Sequence, residues 1–360
     1  MITNAKAFGY ITLLALGCAL SVRAHDQPVP TPSEGRQVSA RTIPVPADVS
    51  QELQDAIRSA GLIPAEPVVV PRSPDEWRSL VAQWEQPERI HDVIASLTKK
   101  YPVSVSSEFM GGVATHTVMP VSPDSRNRNR AVLYVHGGGY VAGGGEAGLD
   151  EAILLAHYTG IKVIAVDYRM PPDHPFPAAL DDAVAVWKQI TGTIKPANVA
   201  IGGTSAGGGL ALAIVLRLEQ MHLPLPGAVF AGTPWADLTN SGDSARTNDG
   251  IDDDLSGDNE LLLAAGKIYA GSENVQNPLI SPLYGDFKGF PPTILITGTR
   301  DFLLSDTVRV HRKLREAGVV ADLNVFEAMS HGQYVTVHDA PESREAYMEV
   351  AHFFGRCLGR

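Results

Sequence analysis

The sequence predicts an α/β protein: a mostly parallel, eight-stranded sheet flanked by helices, with a helical cap. Three observations predict it. From Val103 onward, short apolar runs alternate with helical stretches, as strands alternate with crossover helices. The later runs are almost continuously apolar, as in strands buried on both faces of a parallel sheet. One run, 198–202, breaks at Gly203-Thr204-Ser205-Ala206-Gly207 and opens into an apolar helical stretch, 210–216. A strand thus meets a helix through a tight Gly-x-Ser-x-Gly turn.

The chain has 360 residues, 44% of them apolar and 19% charged, enough for one large domain with a packed core. A net charge of −11 disfavours nucleic acid as a partner, because phosphates would be repelled over most of the surface. Residues 1–24 read as a signal peptide. Lys6 supplies the positive end, 7–20 is largely apolar, and Val22-Arg23-Ala24 offers a cleavage site after Ala24. Export to the periplasm or medium is therefore expected. An uncleaved anchor is the alternative, although the apolar run is short for a span. A lipoprotein anchor at Cys18 is disfavoured by Ala15, where such a signal wants Leu. Cleavage would remove Lys6 and Arg23 and no acid, taking the charge from −11 to −13. It would leave Cys357 alone, hence no intramolecular disulfide. The chain has no Cys/His cluster at zinc spacing, and no metal is expected.

Residues 25–46, rich in Pro, Ser and Gln, are expected to be a flexible tether. Residues 47–100 carry three amphipathic helical patterns, at 49–57, 75–84 and 88–94, with Asp48 or Ser50 available to cap the first. Such helices need a larger body to pack on. The main α/β domain is expected over 101–360. Its strands are predicted at 103–110, 113–119, 131–136, 162–167, 198–202, 228–232, 293–297 and 322–326, with helices at 148–159, 178–189, 208–221 and 306–317. Between the sixth and seventh strands the chain is too long for a simple crossover. An insertion over about 237–285 begins with the acidic loop Asn248-Asp249-Gly250-Ile251-Asp252-Asp253-Asp254 and continues into a helix, 259–269. The loop's spacing does not match an EF-hand, so it reads as a solvated charged loop. With 47–100, this insertion supplies the expected cap. Trp77, Leu80 and Trp84 share one helix face, and Leu261, Leu262 and Leu263 come from the insertion.

The turn at Ser205 would hold its Oγ clear of the backbone at a helix N-terminus, where developing negative charge is favoured. Ser205 is thus a candidate nucleophile for acyl transfer. Upstream, His136-Gly137-Gly138-Gly139-Tyr140 ends a strand, and its glycines allow amides to converge on an oxyanion. Gly138, Gly139 and Ala206 are the expected donors. His136 precedes the nucleophile and reads as a brace for this loop. Asp301 follows the strand at 293–297, and His331 follows the strand at 322–326. Asp306 rivals Asp301, but Ser305-Asp306 reads as the N-cap and first turn of the next helix. His311, His338 and His352 fall in or near helices and read as surface residues. The order Ser205, Asp301, His331 is that of the α/β-hydrolase triad.

These blocks resemble the bacterial hormone-sensitive-lipase-like esterases (family IV, α/β-hydrolase fold 3). The resemblance covers roughly 100–355. It rests on His136-Gly137-Gly138-Gly139, the Pro-rich stretch from Asp167 to Ala179, Gly203-Thr204-Ser205-Ala206-Gly207-Gly208, Ser281-Pro282-Leu283 and Met329-Ser330-His331-Gly332. Thr204 matches the subgroup with Thr before the nucleophile. The resemblance implies the α/β-hydrolase fold with a helical cap. It also implies a serine carboxylesterase acting on short- to medium-chain esters. Ser205, Asp301 and His331 would be catalytic, and Gly138, Gly139 and Ala206 would form the oxyanion hole. A small-molecule ester would be the substrate, and no cofactor is implied. Lactones, acetylated sugars or amides are alternative substrates for the same machinery, and a non-catalytic binding protein on this fold is a further alternative. Two departures stand out. Gln333-Tyr334 follows His331-Gly332 where an aromatic commonly comes first, which would alter the shape of the acyl pocket. The signal peptide is the other, since many relatives are cytoplasmic.

Overall fold

The computed structural model describes residues 42–60, 69–123 and 125–359, and from Pro44 onward these form one unit. The expected signal peptide, its cleavage site and most of the expected tether lie outside the described residues. Eight strands build one sheet: β1 (Val103–Met110), β2 (Val113–Pro120), β3 (Ala131–Val135), β4 (Lys162–Val166), β5 (Val199–Thr204), β6 (Ala228–Gly232), β7 (Thr293–Gly298) and β8 (Ala321–Phe326). Their spatial order is β1-β2-β4-β3-β5-β6-β7-β8. β1–β2 and β2–β4 pair antiparallel, and all other neighbours pair parallel.

Position in the sheet explains the apolar patterns. In β3, β5, β6 and β7 every residue is buried, because helices cover both faces. Successive side chains of β3 alternate between two cores. Ala131, Leu133 and Val135 join one, and Val132 and Tyr134 join the other. β1, at one edge, has no fully buried residue, and β8 at the other has only Ala321.

The helices are α1 (Gln51–Ser59), α2 (Pro74–Trp84), α3 (Pro87–Lys100), α4 (Asp150–Thr159), α5 (Ala178–Thr191), α6 (Ala206–Gln220), α7 (Ser244–Thr247), α8 (Asn259–Ala270), α9 (Leu304–Glu316), α10 (Gln333–Thr336) and α11 (Pro341–Cys357). Ser50, rather than Asp48, caps α1, its hydroxyl accepting from the Leu53 amide at 3.2 Å. Its own amide donates to Glu342 on α11 at 2.7 Å. Ser73 caps α2 in the same way. Leu53, Trp77, Ile94 and Leu97 are the buried residues of these three helices, so each packs a narrow stripe on the larger body.

One expectation is corrected here. Ser305-Asp306 is not an N-cap pair. α9 begins at Leu304, and Leu303 occupies the cap position without a side-chain bond. Ser305 exchanges hydrogen bonds with Ser244 at 2.8 and 2.9 Å. Asp306 is buried in the first turn and accepts from the amides of Ala236 and Asp237 at 2.9 and 2.8 Å. Its burial pushes the carboxyl up, to about 8. The segment leaving β6 has amides that no ladder satisfies, and a distant carboxylate meets that need.

The β5–α6 junction is the tightest point of the fold. A Cβ placed on Gly203 or on Gly207 would overlap the carbonyl oxygen of Val135. Gly355, on the exposed side of α11, has open space around it. Gly207→Ala should therefore cost about 3 kcal/mol or more, whereas Gly355→Ala should stabilise by roughly 0.5–1 kcal/mol. Thermal melts of the two variants check this; equal and small shifts would contradict it.

Candidate active site

Ser205 stands between β5 and α6 with φ 62° and ψ −125°, a conformation side chains rarely adopt. Backbone bonds over-determine it. The Ser205 amide donates to Gly232 O at 2.9 Å, and its carbonyl accepts from Gly209 and Trp235 at 3.0 and 2.9 Å. The strain turns the side chain into a cavity of about 510 Å³. Gly138, Gly139 and His331 line the same cavity.

His331 and Asp301 meet as expected. His331 Nδ1 lies 3.0 Å from Asp301 Oδ1, with both side chains buried. The other Asp301 oxygen accepts from the Thr297 hydroxyl at 2.6 Å, and Oδ1 also accepts from the Leu303 amide at 2.8 Å. The carboxylate is thus held from three directions and cannot swing from the imidazole without breaking bonds. Burial alone would lower the His331 pKa. The hydrogen bond and charge of Asp301, with the charges of Asp252 and Asp254, more than offset it, so the imidazole is held above its ordinary value.

Gly138 and Gly139 have φ of 96° and 61°, the left-handed region that the loop requires. Among the described residues, the amides of Gly138, Gly139 and Ala206 donate to no protein acceptor. Three unengaged donors next to a strained serine can receive an oxyanion. His136 braces this loop. Its ring stacks on Tyr168 at 4.0 Å between centroids, and Nδ1 donates to Gly137 O at 2.8 Å. Burial lowers its pKa to about 4, so it stays neutral. The loop is tied outward as well. The Gly143 amide donates to Glu85 at the end of α2, the Gly145 amide donates to Asp167 at 2.9 Å, and Tyr140 stacks on Tyr269 of α8 at 3.8 Å.

Of the six apolar residues expected over the site, four line the cavity: Trp77, Trp84, Leu261 and Leu262. Leu80 is partly buried against the core instead, and Leu263 is exposed on the outer side of α8. Consecutive helical residues point about 100° apart, so three successive leucines cannot all face inward.

The acidic loop is a second correction. It is not solvated. Asp252 is only 2% exposed and accepts four backbone amides: Asp254 and Leu255 on one oxygen, Phe302 and His331 on the other. Gln333 donates to Asp253 at 3.0 Å and accepts from the Ser330 amide at 2.9 Å. The departure after Gly332 therefore does not reshape the pocket: neither Gln333 nor Tyr334 lines it, and both pin the histidine loop from behind. Tyr334 reaches Thr204 at 2.6 Å, and Thr204 donates to the buried Glu151 at 2.6 Å. Burial pushes Glu151 up, to about 8. Sequence reasoning missed both Asp252 and Glu151. Charged residues in a loop or at a helix start carry no sign that the fold will bury them.

Comparisons with known proteins agree with this fold. The family model described as alpha/beta hydrolase fold matches residues 132–335. An acetyl-hydrolase of Streptomyces hygroscopicus is 34% identical over 233 residues, spanning 64% of this chain and 77% of that protein. An esterase of Acinetobacter venetianus is 33% identical over 227 residues, spanning 62% and 73%. A crystallised esterase superposes with a TM-score of 0.87 at 41% identity, covering 91% of this chain and all of its own. A second, from the bacterial hormone-sensitive lipase family, does so with a TM-score of 0.73 at 29% identity, covering 86% and 99%. The chain is a member of the α/β hydrolases, in their bacterial hormone-sensitive-lipase-like branch.

Proposed function

We propose that this protein hydrolyses short- to medium-chain carboxylic esters through a covalent acyl-enzyme on Ser205. The observation that carries the reading is the meeting of three groups at one cavity: a strained serine, a buried imidazole–carboxylate pair and three unengaged amides. His331 takes the Ser205 proton as Oγ bonds to the ester carbonyl carbon. Asp301 holds the tautomer and offsets the imidazolium charge. The carbonyl oxygen becomes an oxyanion received by Gly138, Gly139 and Ala206, each donor worth roughly 3–4 kcal/mol. His331 then protonates the leaving alcohol as the carbon–oxygen bond breaks. Water then gives a proton to His331 as its oxygen bonds to the acyl carbon, and His331 returns that proton to Ser205 Oγ as the acyl–serine bond breaks, releasing the acid. The acetyl-hydrolase relative favours including acetyl esters among the substrates.

Three measurements check this reading. Ser205→Ala should lower kcat by at least about 10⁴-fold with an unchanged melting temperature; a tenth of the wild-type rate surviving would contradict it. The base works only when neutral, and its pKa is raised in the fold. kcat/KM should therefore be lost as pH falls, along a limb centred above the ordinary imidazole value of about 6.5. A limb at or below that value would contradict the assignment. A panel of p-nitrophenyl esters tests the cavity. Activity should peak at acyl chains of roughly two to eight carbons, where the apolar lid of Trp77, Trp84, Leu261 and Leu262 limits depth. The lining includes Asp254 and Asp258 and no Lys or Arg. A hemisuccinate ester should thus be at least about tenfold poorer than the butyrate. Preference for long or anionic acyl groups would overturn this part.

A further inference from the structure

Asp252 enters neither the hydrolytic steps nor any motif, yet it occupies an unusual place. It sits in the insertion between β6 and β7, far in sequence from both triad loops. Its Oδ2 accepts from Phe302 N at 2.7 Å and from His331 N at 3.0 Å. Phe302 is the residue after Asp301. A single buried oxygen thus bonds the acid loop and the base loop together. Oδ1 accepts from the amides of Asp254 and Leu255 at 2.8 and 2.9 Å, which fixes the carboxylate in its own loop.

We propose that Asp252 is a positioning residue for the reaction, setting the spacing between the Asp301 loop and the His331 loop. The inference rests on the triad reading given above. Both loops leave the sheet at the ends of β7 and β8, beyond the last ladder pair of Gly298 with Phe326. Past that point the loops are joined directly only short of the reacting residues, by Thr299 N to Phe326 O at 2.9 Å, Arg300 N to Met329 O at 3.2 Å and Ala328 N to Thr299 Oγ1 at 2.8 Å, and Asp252 adds the backbone bridge at Phe302 and His331 themselves. A misplacement of about 1 Å between reacting groups can cost 10²-fold in rate. Neighbouring bonds reinforce the clamp: Asp253 N donates to Ser330 Oγ at 3.0 Å, and Asn248 Nδ2 donates to Asp301 O at 2.8 Å. The insertion therefore braces the two loops as well as carrying the α8 residues that line the cavity.

Charge adds a second consequence. The charged groups acting on His331 are Asp301, Asp252 and Asp254, all acidic. Those acting on Asp252 are His331 and Asp301. Asp252 therefore favours the protonated imidazole, and removing its charge should make His331 less basic. A role confined to stability would not move that titration.

The test uses the full chain with Asp252→Asn and Asp252→Ala, assayed on p-nitrophenyl butyrate from pH 5 to 10, beside His331→Ala. Both Asp252 variants should lose about 10–100-fold in kcat with KM within twofold. Their ascending limb should move to lower pH. His331→Ala inactive while a folded Asp252→Asn keeps the wild-type kcat and limb would overturn the clamp alone. An active His331→Ala would overturn the triad reading beneath it. Should neither Asp252 variant fold, hydrogen exchange on the wild type decides. Amides of Phe302 and His331 should be strongly protected, and rapid exchange at both would overturn the proposal.

Discussion

The whole site depends on how closely β5 and α6 approach β3. Only hydrogen projects from Gly203 and Gly207 toward the Val135 carbonyl, and this lets the helix start directly above the strand end. Ser205 is then forced to a positive φ and holds its side chain out of the turn. The same approach brings the loop after β3, with Gly138 and Gly139, beside the start of α6. The proposed nucleophile and oxyanion donors are thus placed by one packing constraint. The parallel pairs β3–β5 and β5–β6 keep it rigid, because each strand end is fixed by register on both sides.

The other half of the site is built from loops, and buried polar groups hold those loops. Thr297 and Leu303 fix Asp301, Asp252 bridges to His331, and Gln333 turns back on Ser330. Behind the elbow, Glu151 accepts from Thr204 and Tyr134, and Tyr334 bonds Thr204. The residue before Ser205 is therefore bonded to the residue three past His331. Buried polar groups of this kind are costly when a partner is missing. They specify one arrangement of loops that hydrophobic packing alone would leave loose.

Much of this was legible in the sequence, because the relevant signals are local. Strand and helix placement followed apolar periodicity, and most boundaries shifted by one or two residues, as at Leu304, whereas α3 runs six residues past its expected end at Ile94. The proposed triad was read from order along the chain and from strand ends, and the fold places two of its members, His331 and Asp301, 3.0 Å apart. What failed were inferences about charged residues. Asp306 stands in the first turn of α9 as read, but Ser305 is not its N-cap, and the Asp306 carboxylate is buried as an acceptor for amides after β6. The run Asp252-Asp253-Asp254 looked solvated, yet Asp252 is among the more buried acids of the protein. Local composition reports that a residue is charged. It does not report that two backbone segments 50 and 79 residues away present amides to it. That information exists only after the sheet has brought the ends of β7 and β8 together.

The central claim is a covalent intermediate on Ser205. The most direct measurement is acid-quenched mass spectrometry of the wild-type enzyme during turnover of p-nitrophenyl butyrate, followed by peptide mapping. The account predicts a mass increase of one butyryl group, on the peptide that contains Ser205 and on that residue. Sustained turnover with no acylated protein at any quench time, or with the acyl group on another side chain, would contradict it.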